Sequence, residues 1–235
     1  MELKYKRVLI KISGEALGDE TGRGLDASKL KIVCDQIKDI YDAGAQIGIV
    51  IGAGNFWRGR YGQEYMERST SDYMGMLATT LNTLALQDML ESRGMQTRAQ
   101  TALEIKQVAE PYVRRKAMTH LEKGRIVIFG CGTGNPYFTT DSAASLRAVE
   151  IGAEAILLAK NVDGVYDKDP SQDKLAKKLD EISYMDVINK GLKVMDATAI
   201  TLCMENKLPI IVFGLNEPHS IKKAILGEKI GTIIK

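Results

Sequence analysis

Residues that build disulfide frameworks and metal centres are scarce in this sequence. Its three cysteines, Cys34, Cys131 and Cys203, lie far apart, form no CxxC pair and are odd in number. That pattern excludes a disulfide framework and a thiolate zinc site. The two histidines, His120 and His219, are isolated from each other, so a histidine-rich metal site is excluded as well. Such cysteine usage suits a reducing compartment and predicts a cytoplasmic protein.

Long apolar runs and an excess of one charge are also missing. No stretch approaches the roughly 18 uninterrupted apolar residues of a transmembrane helix. The apolar part of the N-terminal segment MELKYKRVLIKI is too short for a signal peptide. The 32 basic and 30 acidic residues leave a net charge of +2, without the excess of a sequence-independent nucleic-acid binder. We therefore expect neither a membrane nor a nucleic acid as a partner.

What the sequence does contain is an alternation of short apolar runs with longer helical patterns. Strands are predicted at Val8–Ile12, Ile47–Ile51, Thr97–Ala99, Arg125–Phe129, Ala155–Leu158 and Ile210–Phe213. Helices are predicted at Ala27–Asp42, Ser71–Ser92, Glu110–Leu121, Asp141–Ile151, Met185–Lys190 and Asp196–Asn206. Apolar strands without polar alternation indicate burial on both faces. The prediction is one α/β domain over residues 1–235, a three-layer α/β/α sandwich around a mostly parallel sheet.

The first predicted strand runs directly into the segment Lys11–Gly14, at the edge where open α/β sheets bind ligands. A lysine at the end of a buried strand is costly unless its ammonium meets an anion. The glycine lets backbone N–H groups point at phosphate oxygens. A solvated lysine followed by a simple turn explains the segment about as well.

The second predicted strand ends in the small residues Gly52–Gly54, which would let a ligand approach the backbone closely. Asn55 is placed to cap a following helix, and Arg58 to fork onto a phosphate. Phe56 and Trp57 are expected in the core. The small residues also have a structural interpretation, because they would ease packing between helix and strand.

The most informative loop is GCGTGNPYFTTD, Gly130–Asp141, which follows the strand Arg125–Phe129. Its alternate glycines expose backbone N–H groups, and its hydroxyl and amide side chains suit a base or a sugar. Asp141 is expected to cap the next helix. A carboxylate so close to a phosphate loop could instead act through a metal ion or a lysine.

The loop Ala159–Pro170 contains two turn signals, Asp163-Gly164 and Asp169-Pro170. Between them lies Tyr166, whose flat ring suits a purine. Three acidic residues within seven positions could hold magnesium, although a solvated turn explains them about as well.

The loops indicate phosphoryl transfer without the motifs of the commonest nucleotide enzymes. No Walker A sequence and no HRD or DFG sequence of protein kinases occurs. Phosphoryl transfer requires that donor and acceptor be held in line while lysine, arginine, Mg²⁺ and backbone N–H groups neutralise charge. Glycine-rich strand ends and a strand-end lysine provide those groups.

The order of these motifs resembles the amino-acid-kinase family and, within it, the bacterial branch that phosphorylates UMP. The matching segments are KISGEAL, IGAGNFWRG, DYMGMLAT, GTGNPYFTTD, VDGVYDKDP and LKVMDATA, and they span nearly the whole chain from residue 7. The resemblance implies reversible transfer of the γ-phosphate of ATP to UMP, giving ADP and UDP, in pyrimidine nucleotide biosynthesis. It also implies Mg²⁺ with ATP, a homohexamer, and GTP and UTP as effectors.

The resemblance further implies roles for individual residues, with the N-terminal part of the domain mainly for UMP and the C-terminal part mainly for ATP. The ATP-binding set is Lys11, Ile12, Ser13, Gly14, Gly54, Arg58, Lys160, Asn161, Tyr166 and Asp169. The UMP-binding set is Gly52, Ala53, Asp72, Thr133, Gly134, Asn135, Pro136, Tyr137, Phe138, Thr139 and Thr140. The catalytic residues are Lys11, Arg58 and Asp141, and the allosteric segment is Asp19, Glu20, Thr21, Gly22, Arg23 and Gly24. No protein side chain is assigned to a metal.

Two alternatives to this function are another small-molecule kinase of the same fold and a catalytically silent nucleotide sensor. The first leaves Asp72 and the GTGNPYFTT loop unexplained, and the second would be marked by loss of Lys11 or Asp141, both of which are present. Ala53 departs from the triple glycine usual in the family. Either Lys160 or the residue after it could meet the adenine.

The predicted helix Ser71–Ser92 is more apolar than packing on one sheet face requires. Among its apolar residues are Met74, Met76, Leu77, Leu81, Leu84, Ala85 and Met89. The surplus predicts a subunit interface, unless neighbouring helices of the same chain cover it.

Overall fold

The computed structural model describes residues 2–57, 65–168, 170, 173 and 175–235. Its strands are β1 (Arg7–Ile12), β2 (Gln46–Ile51), β3 (Thr97–Thr101), β4 (Glu110–Pro111), β5 (Ile126–Gly130), β6 (Ala155–Lys160), β7 (Val165–Tyr166), β8 (Lys178–Leu179), β9 (Glu181–Ile182), β10 (Ile210–Gly214) and β11 (Thr232–Ile234). Nine of these described strands form one sheet in the order β4-β3-β5-β2-β1-β6-β10-β11-β9, and β7 pairs with β8. Neighbours in the large sheet are parallel, except that β10 and β11 are antiparallel.

Helices cover both faces of the large sheet. They are a 3₁₀ helix at Gly14–Leu17 and α1 (Ala27–Tyr41), α2 (Arg68–Glu91), α3 (Arg114–Glu122), α4 (Thr140–Glu150), α5 (Tyr184–Asn189), α6 (Ala197–Glu205) and α7 (Ser220–Leu226). Helices α1, α2 and α7 lie on one face, and α3 to α6 lie on the other. The predicted three-layer α/β/α sandwich around a mostly parallel sheet is therefore confirmed.

The central strands are apolar on both faces, as their sequences predict. In β1, Val8, Ile10 and Ile12 pack in the core beside α1, whereas Leu9 packs in the core on the opposite face. Burial of one such side chain contributes about 1.5–3 kcal/mol to folding. Because side chains alternate along a strand, Lys11 lies on the same face as Leu9, which is the face that α4 covers.

One predicted helix is partly wrong. The helix expected at Glu110–Leu121 begins only at Arg114, and Glu110–Pro111 forms β4, paired with β3. The proline explains the difference, because its ring disfavours helical backbone in the residue before it. Four further strands (β7, β8, β9 and β11), the 3₁₀ helix and helix α7 were not predicted.

The three cysteines are free and buried, as expected for a chain without disulfides. Burial raises the pKa of the Cys34 thiol to about 12 and that of Cys203 to about 11. Both thiols are therefore protonated at neutral pH and unreactive, because the thiolate is the nucleophilic form.

In the described part of the chain, none of the helices combines the length and the apolar character that a bilayer crossing requires.

Candidate functional site

Four loops meet at the carboxyl edge of the sheet. In the register of the parallel strands, Ile12 of β1 lies beside Ile51 of β2 on one side and Ala159 of β6 on the other. From β1 the chain continues into β2 on one side, whereas β6 on the other side follows only after β5, so the strand order changes direction beside β1. Such a switch point is where open α/β sheets bind ligands. The N–H of Gly52 donates to the Ile12 carbonyl at 2.9 Å, so the first two loops are in direct contact.

The first cleft at this edge has a volume of about 370 Å³. The predicted residues that line it are Lys11, Ser13, Gly14, Gly52, Ala53, Gly54, Asp72, Thr133, Asn135, Phe138, Thr139 and Thr140. Ile12 does not, because its side chain is buried in the core. Gly134, Pro136 and Tyr137 are also absent from the lining, although Tyr137 contributes a backbone contact described below.

Lys11 and Asp141 form an ion pair in this cleft. The distance from Lys11 Nζ to Asp141 Oδ1 is 2.7 Å, and the two side chains are 13% and 22% exposed. Asp141 lies in the first turn of α4, where the partial positive charge of the helix N-terminus favours a carboxylate or a phosphate. A mostly buried ammonium therefore faces the cleft with its direction fixed by a carboxylate.

The prediction that Asp141 caps α4 is wrong, and the difference explains the ion pair. The N-cap is Thr139, whose hydroxyl accepts from the N–H groups of Asp141 and Ser142 at 3.1 and 3.2 Å. Threonine, like aspartate, is a favoured N-cap residue, because its side-chain oxygen accepts from the first N–H groups of a helix. The Asp141 carboxylate is therefore available to Lys11.

The loop after β5 has a backbone that is held in place by α2. Cys131 and Tyr137 have φ angles of 60° and 72°, which are uncommon outside glycine and cost of order 1–3 kcal/mol each. The N–H of Cys131 donates to Thr79 Oγ1 at 2.8 Å, and that of Tyr137 donates to Asp72 Oδ2 at 2.8 Å. Asp72, predicted to bind UMP, thus also fixes the loop beside the cleft.

A buried arginine that sequence reasoning missed supports the same loop from behind. Arg147 of α4 donates to the Gly132 carbonyl at 3.4 Å and to the Glu150 carboxylate at 2.6 Å. Its guanidinium lies 3.8 Å from the centre of the Tyr112 ring. Nothing in the local sequence pattern distinguishes this arginine from a surface residue of an amphipathic helix.

Several other residues of the cleft were also missed: Trp57, Arg68, Ser71, Gly75, Met76, Thr79 and Gly132. The prediction that Phe56 and Trp57 are core residues is wrong. Phe56 is exposed, and Trp57 is part of the cleft wall, where its indole N–H donates to the Ser71 carbonyl at 3.0 Å. Both residues follow the end of β2 at Ile51, and Trp57 lies against Ser71 and Gly75 of α2 rather than inside the core.

A second cleft, of about 510 Å³, is lined by Lys160, Tyr166 and the segment 190–194. Lys160 ends β6 on the same sheet face as Lys11, and its ammonium donates to the carbonyls of Val194 and, at 3.4 Å, Lys193. Burial lowers the pKa of Lys160, the Asp141 carboxylate opposes that effect, and the Lys11 ammonium adds to it. Lys160 therefore connects the second cleft electrostatically with the ion pair of the first.

Asn161, the next residue, is not brought to Tyr166. It lines a third pocket, of about 300 Å³, together with the predicted allosteric residues Asp19, Glu20, Thr21 and Gly22. In that segment the Asp19 carboxylate accepts from the Thr21 hydroxyl at 2.6 Å and the Arg23 N–H at 3.1 Å. The hydrogen bond from Thr21 is the main cause that lowers the pKa of Asp19.

Two predicted site residues, Arg58 and Asp169, lie outside the described residues.

The acidic turn after β6 shows the features of a solvated turn. Asp163 accepts from the Tyr166 hydroxyl at 2.7 Å and from Lys178 at 3.1 Å, and Asp167 accepts from the Lys177 N–H at 2.7 Å. Within the described ranges, no three His, Cys, Asp or Glu side chains cluster so as to hold a metal ion. Two carboxylates lie at the first cleft: Asp72 lines it and accepts from the Tyr137 N–H, and Asp141 pairs with Lys11. So small a number suits Mg²⁺ that arrives with nucleotide phosphates, because that ion keeps most of its ligands as phosphate oxygens and water.

The chain is similar to a known family of kinases and to several solved structures. The model of the amino acid kinase family matches residues 6–214. The UMP kinase structure from Bacillus anthracis is 42% identical, with a TM-score of 0.96 over 98% of this chain and 96% of that one. The UMP kinase from Ureaplasma parvum is 37% identical, with a TM-score of 0.92 over 99% of each chain. The uridylate kinase from Archaeoglobus fulgidus is 29% identical, with a TM-score of 0.75 over 97% of this chain and 99% of that one.

Proposed function

The chain belongs to the amino acid kinase family, and from that membership we propose that it transfers the γ-phosphoryl group of ATP to UMP. The products are ADP and UDP, and the reaction is a step of pyrimidine nucleotide biosynthesis. The observation that supports this most directly is the Lys11–Asp141 ion pair, set among glycine-rich loops at the carboxyl edge of the sheet. Structures at 37% and 42% identity over nearly the full chain are UMP kinases.

The phosphoryl transfer requires little covalent chemistry from the protein itself. A phosphate oxygen of UMP forms a bond to the γ-phosphorus, while the bond from that phosphorus to the β,γ-bridging oxygen breaks and ADP departs. The second pKa of a phosphate monoester is about 6, so the attacking oxygen is already ionised at neutral pH and needs no general base. The difficulty is to bring two anions together, which requires positive charge at the transferred group.

In this proposal Lys11 supplies that charge. Its ammonium lies in the first cleft, and Asp141 holds it in one direction. We assign the acceptor UMP to the first cleft, with Asp72 and the loop Thr133–Thr140 around its ribose and base. The backbone N–H groups of the loops after β1 and β2 would contact the phosphates.

The second cleft suits the adenosine of ATP. Tyr166 offers an aromatic face there, and Lys160 lies between this cleft and the Lys11–Asp141 pair. ATP bound across both clefts would bring its γ-phosphate to Lys11. The N-terminal part of the domain would then hold mainly UMP, and the C-terminal part mainly ATP.

Mg²⁺ is proposed as the ion that accompanies ATP. It would neutralise part of the phosphate charge, and Asp141 is the residue of this cleft that would share it.

Acceptor choice tests the proposed function. With ATP as donor and each nucleotide below saturation, we expect kcat/KM for UMP to exceed that for CMP, AMP and GMP at least tenfold. A pocket built to hydrogen-bond one base leaves its own polar groups unpaired with another. Equal rates with CMP would contradict the assignment, phosphorylation of a small acceptor without ribose would indicate another kinase of the family, and no turnover with any acceptor would indicate a regulator.

Helix α2 supports the proposal that the protein assembles into a homohexamer. Tyr73, Leu77 and Leu81, spaced four residues apart on one face, are 42–51% exposed. The helices in the described part of the chain therefore leave this stripe uncovered, and exposed apolar faces mark contact surfaces. In a symmetric assembly, GTP as activator and UTP as inhibitor could bias all sites together, with the Asp19–Gly24 segment on the coupling path.

Light scattering at micromolar concentration is expected to give about six times the chain mass of 25.9 kDa. A Leu77→Glu/Leu81→Glu variant, which places charge in the stripe, is expected to give a smaller species with an unchanged circular dichroism spectrum. A wild-type mass near one chain would contradict the hexamer, and a UMP saturation curve unchanged by GTP would contradict regulation by that nucleotide.

A further inference from the structure

Two buried asparagines form a closed amide pair beneath the first cleft. Asn55 follows the Gly52–Gly54 loop, and Asn82 lies in the middle of α2. Asn55 Nδ2 donates to Asn82 Oδ1 at 2.9 Å, and Asn82 Nδ2 donates to Asn55 Oδ1 at 2.8 Å. Both side chains are buried, so each amide depends on the other for its hydrogen bonds.

The remaining amide hydrogens reach two backbone carbonyls. Asn82 Nδ2 donates to the Gly52 carbonyl at 2.8 Å, and Asn55 Nδ2 donates to the Gly24 carbonyl at 2.6 Å. All four N–H bonds of the pair are thereby used. Rotating either amide by 180° would place its oxygen against a carbonyl oxygen, so the pair has one stable orientation and holds Gly52 in a fixed direction.

The pair also contacts the loop after β1. A Cβ atom at Gly14 would lie 2.4 Å from Asn55 Oδ1 and 2.5 Å from the Gly52 carbonyl oxygen. The backbone of Gly14 is therefore packed directly on the Asn55 amide. One hydrogen-bonded unit thus touches the loop assigned to the ATP phosphates and the loop assigned to the acceptor.

We propose that Asn55 and Asn82 are positioning residues of the phosphoryl transfer, which set the separation and orientation of the Gly14 loop and the Gly52–Gly54 loop. This inference rests on the proposed function. If packing alone were needed, two apolar side chains would fill the same space. An amide pair also orients the backbone, because hydrogen bonds are directional and the one from Asn82 fixes the orientation of the Gly52 carbonyl.

The test replaces Asn82 with leucine, which has a similar volume and no hydrogen-bonding group. Its control is Gln36→Met, because the buried Gln36 amide donates to the Leu215 carbonyl at 2.7 Å and accepts from the Ser220 hydroxyl at 3.0 Å. That amide joins α1 to α7 and is not part of any described cleft. Both substitutions are expected to lower the melting temperature.

The two variants are expected to differ in turnover. At a temperature where both are folded and with both substrates saturating, Asn82→Leu is expected to lower kcat about tenfold, whereas Gln36→Met leaves it unchanged. Dissociation constants of UMP and ATP, measured separately by calorimetry, are expected to change less than threefold. Loss of alignment lowers the rate of the step without removing the contacts that bind each nucleotide.

Asn55→Ala provides a second variant, in a loop where a substitution endangers folding less. It is also expected to lower kcat. The double variant Asn55→Ala/Asn82→Leu is expected to be no slower than the slower of the two single variants, because the two amides act as a unit. A kcat within twofold of wild type in a folded Asn82→Leu or Asn55→Ala variant would overturn the inference. Failure of the wild-type protein to phosphorylate UMP would overturn the proposed function instead.

Discussion

Replacing Lys11 with alanine is expected to lower kcat by about 10² to 10³, with a much smaller change in the dissociation constant of ATP. The ammonium is held 2.7 Å from the Asp141 carboxylate in a cleft lined by glycines. A preorganised positive charge stabilises negative charge that develops on the transferred phosphoryl group. Because the contact strengthens in the transition state, its loss acts on kcat more than on binding. Steady-state kinetics with UMP and calorimetry with ATP measure the two effects.

Lys6→Ala is the matched control for this variant. Lys6 is an exposed lysine just before β1, at the opposite end of the strand from Lys11. Its replacement changes the net charge equally but is expected to leave kcat unaltered. If Lys11→Ala turned over at the rate of Lys6→Ala, Lys11 would be only a charge at the end of a strand.

Asp141→Asn is expected to lower kcat by about 10². Asparagine keeps the size of the side chain but cannot form the ion pair, so the Lys11 ammonium loses the group that directs it. The two side chains are 13% and 22% exposed, and removal of the carboxylate leaves a mostly buried ammonium without its counter-ion, so folding stability is also expected to fall, by up to about 3–5 kcal/mol. Turnover measured well below the midpoint of the variant's melting curve would therefore separate the catalytic effect from unfolding.

The double variant Lys11→Ala/Asp141→Asn shows how Asp141 acts. If the carboxylate works through Lys11, the double variant is expected to turn over within about threefold of Lys11→Ala, because effects of residues that act as a unit are not additive. Additive losses would instead show that Asp141 has a separate function, such as sharing the Mg²⁺ of ATP. A folded Asp141→Asn enzyme with wild-type kcat would contradict both.

The layered fold could be predicted because local patterns determine it. The central strands are apolar on both faces, and each is followed by a glycine-rich segment, so their burial and their loops are visible in consecutive residues. Since carboxyl ends of parallel strands meet at one edge, the convergence of Lys11, Gly52 and Thr133 in one cleft follows from the same patterns.

The site features that could not be predicted from the sequence depend on contacts between residues that are distant in the chain. Thr139 and Asp141 are both good cap residues, and only the position of Lys11 in the fold decides which one remains available for the ion pair. The sequence suggested only a local role for Asn55, as the cap of a following helix, whereas the structure shows its side chain hydrogen-bonded to Asn82, 27 positions later. The periodicity of residues along one helix or strand does not indicate which distant residue its side chains will bond to.

The close packing of Gly14 on the Asn55 amide also restricts how these positions can change in evolution. A mutation that adds a side chain at residue 14 would push Asn55 away. Displacement of Asn55 would leave one buried amide hydrogen of Asn82 without its acceptor and the Asn82 oxygen without its donor. Each single substitution therefore creates a defect that the other two residues cannot relieve. Descendants of this gene are expected to retain Gly14, Asn55 and Asn82 together or to replace them together, and resistance to inhibitors of the cleft is expected to arise elsewhere.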